Sequence, residues 1–210
     1  MPRDPHRDQP VLLGGAPLAE AAGALVLLHG RGGSAQDKLA LARDLQADSH
    51  ARLVPQAARR HWYPISQLEK PERNRPHLNS ALALVKRVME KIAAAQLPPE
   101  RVVLLGFSQG ASVVLEFAAR NARRYGGLVA LSGALLGPEG TPRDYAGSLA
   151  GTPLFLGCGD SDPHLPKRRV DETAAVFTRL GATVTQRVYP GLGHAMNAEE
   201  MDVARKMIAM

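Results

Sequence analysis

The stretch Val102-Val-Leu-Leu-Gly106-Phe-Ser108-Gln-Gly110-Ala decides the fold that this sequence is expected to adopt. It begins with a short apolar run of the kind found in strands that are buried on both faces. A helix-forming stretch follows directly after it. A serine at the apex of such a sharp turn, with a glycine two residues to either side, is the pattern of a nucleophile elbow. The pattern predicts that Ser108 presents its hydroxyl at the carboxyl edge of a parallel sheet.

An exposed serine needs two partners before it can act as a nucleophile. An imidazole must accept its proton, and an acid must orient that imidazole. In folds with this elbow the acid and then the histidine follow the serine along the chain. Asp160 and Asp162 follow one later apolar strand, and His194 lies in a glycine-rich loop after the next strand. We predict a catalytic triad of Ser108, Asp162 and His194, although spacing from the strand does not by itself separate Asp162 from Asp160.

A glycine-rich turn after an early strand predicts the site that binds the oxyanion. Backbone amides in such a turn, with the amide that follows the nucleophile, stabilise the negative charge of the tetrahedral intermediate. The turn His29-Gly-Arg31-Gly-Gly33 follows the strand predicted at 24–29. We therefore predict the backbone N–H groups of Arg31 and Gln109 as the donors.

The same turn supports a different function. Gly30-x-Gly32-x-x-Ala35 matches the dinucleotide-binding fingerprint between a strand and a helix. The next strand ends near Arg59-Arg60, without the acid that usually binds the ribose, but arginines can receive the 2′-phosphate of NADP. An NADP-binding oxidoreductase is thus an alternative, but it leaves the predicted triad unexplained.

Five motifs together resemble the phospholipase/carboxylesterase family of α/β-hydrolases, which includes the acyl-protein thioesterases. In chain order they are Leu-His29-Gly-Arg-Gly-Gly33, Pro55-Gln-Ala-Ala with Trp62-Tyr-Pro, Gly106-Phe-Ser-Gln-Gly110, Gly159-Asp-Ser-Asp-Pro-His-Leu-Pro166 and Gly193-His194. The resemblance places the acid at Asp162 and the oxyanion donors at Arg31 and Gln109. Acyl-protein thioesterases typically have Gly-Asp after the His-Gly and an aspartate after the Trp-aromatic pair, so this chain is more similar to the bacterial carboxylesterase branch.

Alternation of apolar strands and amphipathic helices predicts an α/β fold, with a mostly parallel sheet, helices on both faces and no large cap domain. We expect a single α/β-hydrolase domain over residues 10–210, preceded by a mobile tail at 1–9. Four histidines in polar or proline-rich surroundings are expected to be solvated, namely His6, His50, His61 and His77. The predicted strands are 11–13, 24–29, 51–55, 102–107, 127–131, 153–158 and 184–189, and the predicted helices are 36–48, 77–95, 109–121, 167–180 and 198–209.

Two loops are candidate walls of a substrate pocket. Residues 56–76 lack clear periodicity and hold Trp62 and Tyr63, and residues 132–151 hold Leu135 and Leu136. Aromatic side chains beside a reactive serine can line an acyl pocket, but Trp62 can equally anchor its loop on the core. We therefore expect Tyr63, Leu135 and Leu136 at the pocket, with Trp62 open between the two roles.

Composition excludes several other classes of protein. The net charge of +6 comes from scattered basic residues with few aromatics, so no nucleic-acid partner is expected. No metal-ligand motif occurs and the chemistry needs no cofactor. The single cysteine, Cys158, ends an apolar strand and is expected to be buried and inert. With neither a signal peptide nor a membrane-spanning stretch, we expect a cytoplasmic protein without stable membrane insertion.

The sequence therefore predicts a serine carboxylesterase that acts on a small-molecule or lipid ester. Two alternatives use the same triad, namely a lysophospholipase and an acyl-thioesterase. A ligand-binding protein without catalysis is a further alternative, because folds are reused for other functions. The resemblance is also compatible with a homodimer.

Overall fold

A seven-stranded sheet organises the chain in the computed structural model, which describes residues 4–210. The strand order is β1-β3-β2-β4-β5-β6-β7, with β1 antiparallel to β3 and all other neighbours parallel. The strands are β1 (Val11–Gly15), β2 (Gly23–Leu28), β3 (His50–Pro55), β4 (Val102–Phe107), β5 (Gly127–Leu131), β6 (Pro153–Gly159) and β7 (Thr183–Tyr189).

Five α-helices accompany the sheet within residues 4–210, and three short 3₁₀ helices lie at Ala58–Arg60, Pro71–Asn74 and Pro99–Arg101. The α-helices are α1 (Ala35–Asp44), α2 (His77–Ala94), α3 (Gln109–Arg120), α4 (Lys167–Arg179) and α5 (Ala198–Ile208). The elements agree with the sequence-based prediction to within a few residues, and no separate cap domain is present in the described part of the chain. The largest difference is at α1, which ends at Asp44 because Gln46 adopts a positive φ of 52°.

Side chains of the central strands alternate between two apolar layers. In β2, Ala24, Val26 and Leu28 belong to one layer, while Leu25 and Leu27 belong to the other. The first layer contains residues of α2, α3 and α4, and the second contains residues of α1 and α5. Since both faces of the sheet are covered, the central strands are continuous apolar runs. Parallel strands then bring their carboxyl ends to one edge, where the functional loops lie.

The prediction of a mobile tail at 1–9 is wrong for residues 4–9. His6 is buried, and its backbone N–H donates to Ser80 Oγ at 2.8 Å. Its ring Nε2 donates to the backbone oxygen of Trp62 at 3.0 Å, and its Nδ1 accepts from the backbone N–H of Ala58 at 3.0 Å. His6 is therefore a packed side chain and not the solvated one expected from its polar sequence neighbours. Residues 1–3, the rest of that predicted tail, lie outside the described residues.

The described helices include none with the length and apolarity required to traverse a lipid bilayer.

Candidate active site

The turn between β4 and α3 places Ser108 in strained backbone geometry. Its φ of 56° and ψ of −121° lie outside the helical and extended regions. A Cβ on Gly106 would approach the backbone of Gly110 to 2.4 Å, and a Cβ on Gly110 would approach the carbonyl oxygen of Leu28 to 2.4 Å. Both glycines are therefore required for β2, β4 and α3 to pack this closely. The N–H of Ser108 donates to the oxygen of Leu131 at 2.8 Å and fixes the elbow on β5.

The structure brings Ser108, Asp162 and His194 together from three strand ends. His194 Nε2 lies 2.8 Å from Ser108 Oγ, and His194 Nδ1 lies 2.7 Å from Asp162 Oδ2. The Asp162 side chain is fully buried, whereas the His194 side chain is 22% exposed. An ionised Asp162 accepts from Nδ1–H, so the lone pair of Nε2 faces the serine hydroxyl. This is the arrangement in which an imidazole can take a proton from serine.

The two neighbouring aspartates have different partners. The second carboxylate oxygen of Asp162 accepts from the backbone N–H of His164 at 2.8 Å, which fixes the acid against the histidine. Asp160 is exposed and accepts from the N–H of Gly191 at 2.8 Å and from the Ser161 hydroxyl at 2.9 Å. Asp160 therefore fixes the loop that leads to His194, and Asp162 contacts the imidazole.

Two backbone amides near the elbow are free, one in the glycine-rich turn after β2 and one at the start of α3. Gln109 is the first residue of α3, where a backbone N–H has no partner within the helix. Within residues 4–210 the backbone N–H of Arg31 likewise has no hydrogen-bond partner. By contrast, the N–H groups of Gly32 and Gly33 donate to the oxygens of Arg60 and Gly30. Those two amides are unavailable to a pyrophosphate, so the turn does not favour the dinucleotide-binding alternative.

A buried histidine holds this turn in place. His29 Nδ1 lies 2.7 Å from the oxygen of Gly30, and Nε2 accepts from the N–H of Ala57 at 3.1 Å. Burial is the main cause that lowers the pKa of His29, so the ring is neutral at pH 7. A neutral ring with Nδ1 protonated satisfies both contacts. His29 thus connects the turn to the segment after β3.

That segment is also fixed to the elbow. Trp62 donates from Nε1 to the oxygen of His29 at 2.7 Å, and its backbone N–H donates to the Gln109 side chain at 3.0 Å. The Gln109 amide group donates in turn to the oxygen of Tyr63 at 2.9 Å. Trp62 is fully buried, so it anchors the loop and does not line the pocket. Of the two roles left open for Trp62, the structure supports the loop anchor, and the placement of Trp62 at the pocket is wrong.

A cavity of about 590 Å³ opens over Ser108 and His194. Tyr63 lines it as predicted, but Leu135 and Leu136 do not. Both leucines are buried, because their N–H groups donate to Thr173 Oγ1 and to Glu116 Oε1 and draw the chain into the core beside α3 and α4. The lining also includes Arg31, which was predicted as an oxyanion donor. The remaining side chains were not predicted from the sequence, and they include Ile65, Gln67, Leu68, Phe107, Pro163 and His164.

A larger cavity of about 700 Å³ lies between residues 70–72 and 138–145 and contains none of the three residues of the predicted triad. We therefore place the candidate active site at the smaller cavity, because the reactive groups lie there.

Two aromatic rings lie close to the His194 imidazole. Phe107 lies 5.1 Å from it between ring centres, and His164 lies 5.0 Å from it in perpendicular orientation. Behind Phe107 the Lys38 ammonium sits 5.2 Å from the phenyl ring. Burial lowers the pKa of Lys38 to about 8. His164 lies two residues after the predicted acid within one of the quoted motifs, which is a signal for a place near the site. Lys38 carried no such signal.

Comparisons with known proteins show similarity along most of the chain. The sequence model of the phospholipase/carboxylesterase family matches residues 16–210. Acyl-protein thioesterase 1 of Debaryomyces hansenii is 30% identical over 151 residues, an alignment that covers 70% of this chain and 65%, just under two thirds, of the relative. The Kluyveromyces lactis protein of the same name is 27% identical, with 86% of this chain and 88% of the relative covered.

Solved structures extend the similarity to nearly the whole chain. A phospholipase/carboxylesterase from Dyadobacter fermentans is 40% identical, with 97% of each chain covered and a TM-score of 0.93. The carboxylesterase of Bacillus cereus superposes with a TM-score of 0.75 at 18% identity, with 97% of this chain and 94% of that chain covered, which is a similarity of fold.

Proposed function

Because this chain belongs to the phospholipase/carboxylesterase family, whose members hydrolyse esters, we propose that it is a serine carboxylesterase that forms an acyl-enzyme on Ser108. The observation that carries the proposal is the double contact of His194, with Ser108 on one ring nitrogen and Asp162 on the other. Such a chain of contacts activates a serine hydroxyl at neutral pH.

The first half of the reaction transfers the acyl group to the enzyme. His194 Nε2 takes the proton of Ser108 as Oγ attacks the carbonyl carbon of the ester. The product is a tetrahedral intermediate in which the former carbonyl oxygen is an oxyanion. The N–H groups of Arg31 and Gln109 bind that oxyanion, while buried Asp162 stabilises the imidazolium. The C–O bond to the alcohol then breaks, and His194 returns the proton to the leaving oxygen.

The second half releases the acid. Water attacks the carbonyl of the acyl-enzyme, His194 accepts its proton, and the bond to Ser108 Oγ breaks as the proton passes back to the serine. The chain's own groups supply every proton transfer in this scheme.

An acyl-thioesterase is the second candidate, because two of the relatives are acyl-protein thioesterases at 30% and 27% identity. The same steps cleave a thioester, since only the leaving atom changes from oxygen to sulfur. A lysophospholipase also uses these steps on a lipid ester.

The test is hydrolysis of p-nitrophenyl esters from acetate to laurate by the wild type and by Ser108→Ala. We expect turnover by the wild type, and loss of at least about a thousandfold in kcat by the variant without loss of folding. Retention of most activity by folded Ser108→Ala would contradict the proposal. If the folded wild type hydrolyses no ester but cleaves acyl thioesters in a Ser108-dependent reaction, the thioesterase is favoured instead.

A further inference from the structure

Arg31 lines the catalytic cavity, and its side chain has no acidic partner among the described residues. It is the one lysine or arginine among the lining residues, and no aspartate or glutamate lines the cavity. No carboxylate within residues 4–210 lies within 4.0 Å of its guanidinium, whereas Arg60, Arg73 and Arg120 each have one. An arginine left in a reaction cavity without an anion is available to one that a substrate brings.

Hydrogen bonds fix the guanidinium in place, but some of its N–H groups remain without a partner among the described residues. Nη2 donates to the oxygens of Tyr63 and Pro64, each at 2.9 Å. These two bonds use both hydrogens of Nη2, so Nε–H and the two N–H groups of Nη1 have no partner among the described residues. A tethered cation loses less conformational entropy on binding an anion than a free side chain does.

The position of Arg31 places this charge close to the reaction. Its backbone N–H is one of the two proposed donors to the oxyanion, so its side chain leaves the main chain next to the scissile carbonyl. The apolar part of the lining is limited to Ile65, Leu68, Phe107 and Pro163, together with Tyr63. The cavity thus combines a short apolar surface with one cation.

We propose that Arg31 makes this enzyme selective for esters that carry a carboxylate a few bonds from the scissile carbonyl. The proposal rests on the serine esterase function proposed above and names its substrate class. Arg31 acts as a specificity-determining residue, because charge-assisted hydrogen bonds to a carboxylate are stronger than bonds to a neutral group.

The experiment compares substrates of equal length that differ in charge. On the acyl side these are mono-p-nitrophenyl adipate and p-nitrophenyl hexanoate, and on the alcohol side 4-acetoxybenzoate and 4-methylphenyl acetate. Each pair gives a ratio of kcat/KM for the anionic over the neutral ester, measured for the wild type, Arg31→Gln and Arg60→Gln. Arg60 is the matched control, because it supports the same turn through the oxygen of Gly33 at 3.2 Å but does not line the cavity.

We expect Arg31→Gln to lower the ratio about tenfold or more for at least one pair, which also identifies the side of the ester that bears the carboxylate. Arg60→Gln, which removes the same charge, leaves both ratios near the wild-type values. An equal loss on charged and neutral esters in Arg31→Gln would mean that the side chain only tethers the turn, and would overturn the proposal. An equal fall in the ratio for Arg60→Gln would also overturn the proposal, since the net charge of the protein would then explain the preference for anionic esters. Failure of the proposed function is distinct, because the neutral esters would show no Ser108-dependent hydrolysis.

Discussion

The indole Nε1–H of Trp62 donates to the backbone oxygen of His29 at 2.7 Å, and so joins the loop after β3 to the turn that carries one proposed oxyanion donor. Trp62→Phe removes this bond and leaves a buried carbonyl and a small void. We expect a loss of about 2–4 kcal/mol in the free energy of unfolding and a fall in kcat for ester hydrolysis.

The control for this variant is Tyr125→Phe, which removes a hydroxyl bond of 2.8 Å to the oxygen of Asn121 at the opposite edge of the sheet. It is expected to lower stability without lowering kcat. Denaturant unfolding and steady-state kinetics measure both effects. An unchanged kcat in Trp62→Phe would contradict the prediction, because the loop would then have no influence on the reaction.

The two aspartates before His194 differ in what their loss should do. Asp162→Asn places an amide against His194 Nδ1 and disturbs its orientation and charge, so kcat is expected to fall by about a thousandfold or more. Asp160→Asn keeps an oxygen that can accept from Gly191 and is expected to retain most of the activity. The reverse ranking in kcat would show that Asp160 supplies the acid.

Crowding at the elbow makes Gly110 intolerant of a side chain. A Cβ there would lie 2.4 Å from the oxygen of Leu28 and 2.6 Å from that of His29, and neither backbone atom can move cheaply. Gly110→Ala is expected to destabilise the protein by about 3 kcal/mol or more. Gly193→Ala, next to His194, meets no heavy atom within 4 Å and is expected to change stability by less than about 0.5 kcal/mol. Similar unfolding midpoints for the two variants would contradict this account.

The buried ring of His6 predicts a dependence of stability on pH. Burial first, and then the nearby His77 and His61, lower its pKa, while the backbone bond at Trp62 and the charge of Asp4 act in the opposite direction. The folded state therefore holds His6 neutral, while the unfolded state binds a proton below about pH 6.5. The stabilisation by His6 is complete above that pH and is lost as the pH falls toward the lower folded pKa.

We expect His6→Ala to cost about 1–3 kcal/mol at pH 8, because two buried hydrogen bonds of the ring are lost. The difference from the wild type should narrow as the pH falls from 8 to 5. Chemical denaturation across that range measures it, and a difference that is constant with pH would contradict the prediction.

Burial also makes Cys158 inert. The thiol is fully buried, as the sequence predicted, and burial raises its pKa to about 11. Thiol reagents are expected to leave the folded protein unmodified at pH 8 and to react with one equivalent after unfolding. Rapid labelling of the native protein with loss of its only thiol would be inconsistent with this placement.

The strand positions could be predicted from the sequence because parallel strands covered on both faces must be continuous apolar runs, as β2 and β4 are. The reactive residues could be predicted because such strands end at one edge, and Ser108 and His194 each follow a strand end. Family resemblance was needed to choose Asp162, since Asp160 fits the strand spacing equally well.

The burial of side chains whose contacts come from distant segments could not be predicted from the sequence. Trp62 is buried because it meets the His29 carbonyl, and His6 is buried because Ser80, Ala58 and Trp62 supply its partners. Leu135 is buried in its loop, where its backbone N–H donates to Thr173 Oγ1. Local polarity and periodicity do not contain these tertiary contacts.

Six of the thirteen residues that line the catalytic cavity, at 65–68 and 163–164, belong to loops and not to the sheet. Ile65, Leu68 and His164 are incompletely buried, so each can be exchanged without opening a hole in the core. Arg31 is proposed both to bind the oxyanion through its backbone and to select substrates through its side chain. The cavity-lining side chains at 65–68, by contrast, lie apart in the chain from Ser108, Asp162 and His194. A combinatorial library at Ile65, Leu68 and His164 could redirect the enzyme to new esters while the elbow stays intact, and natural divergence within the family has the same route open to it.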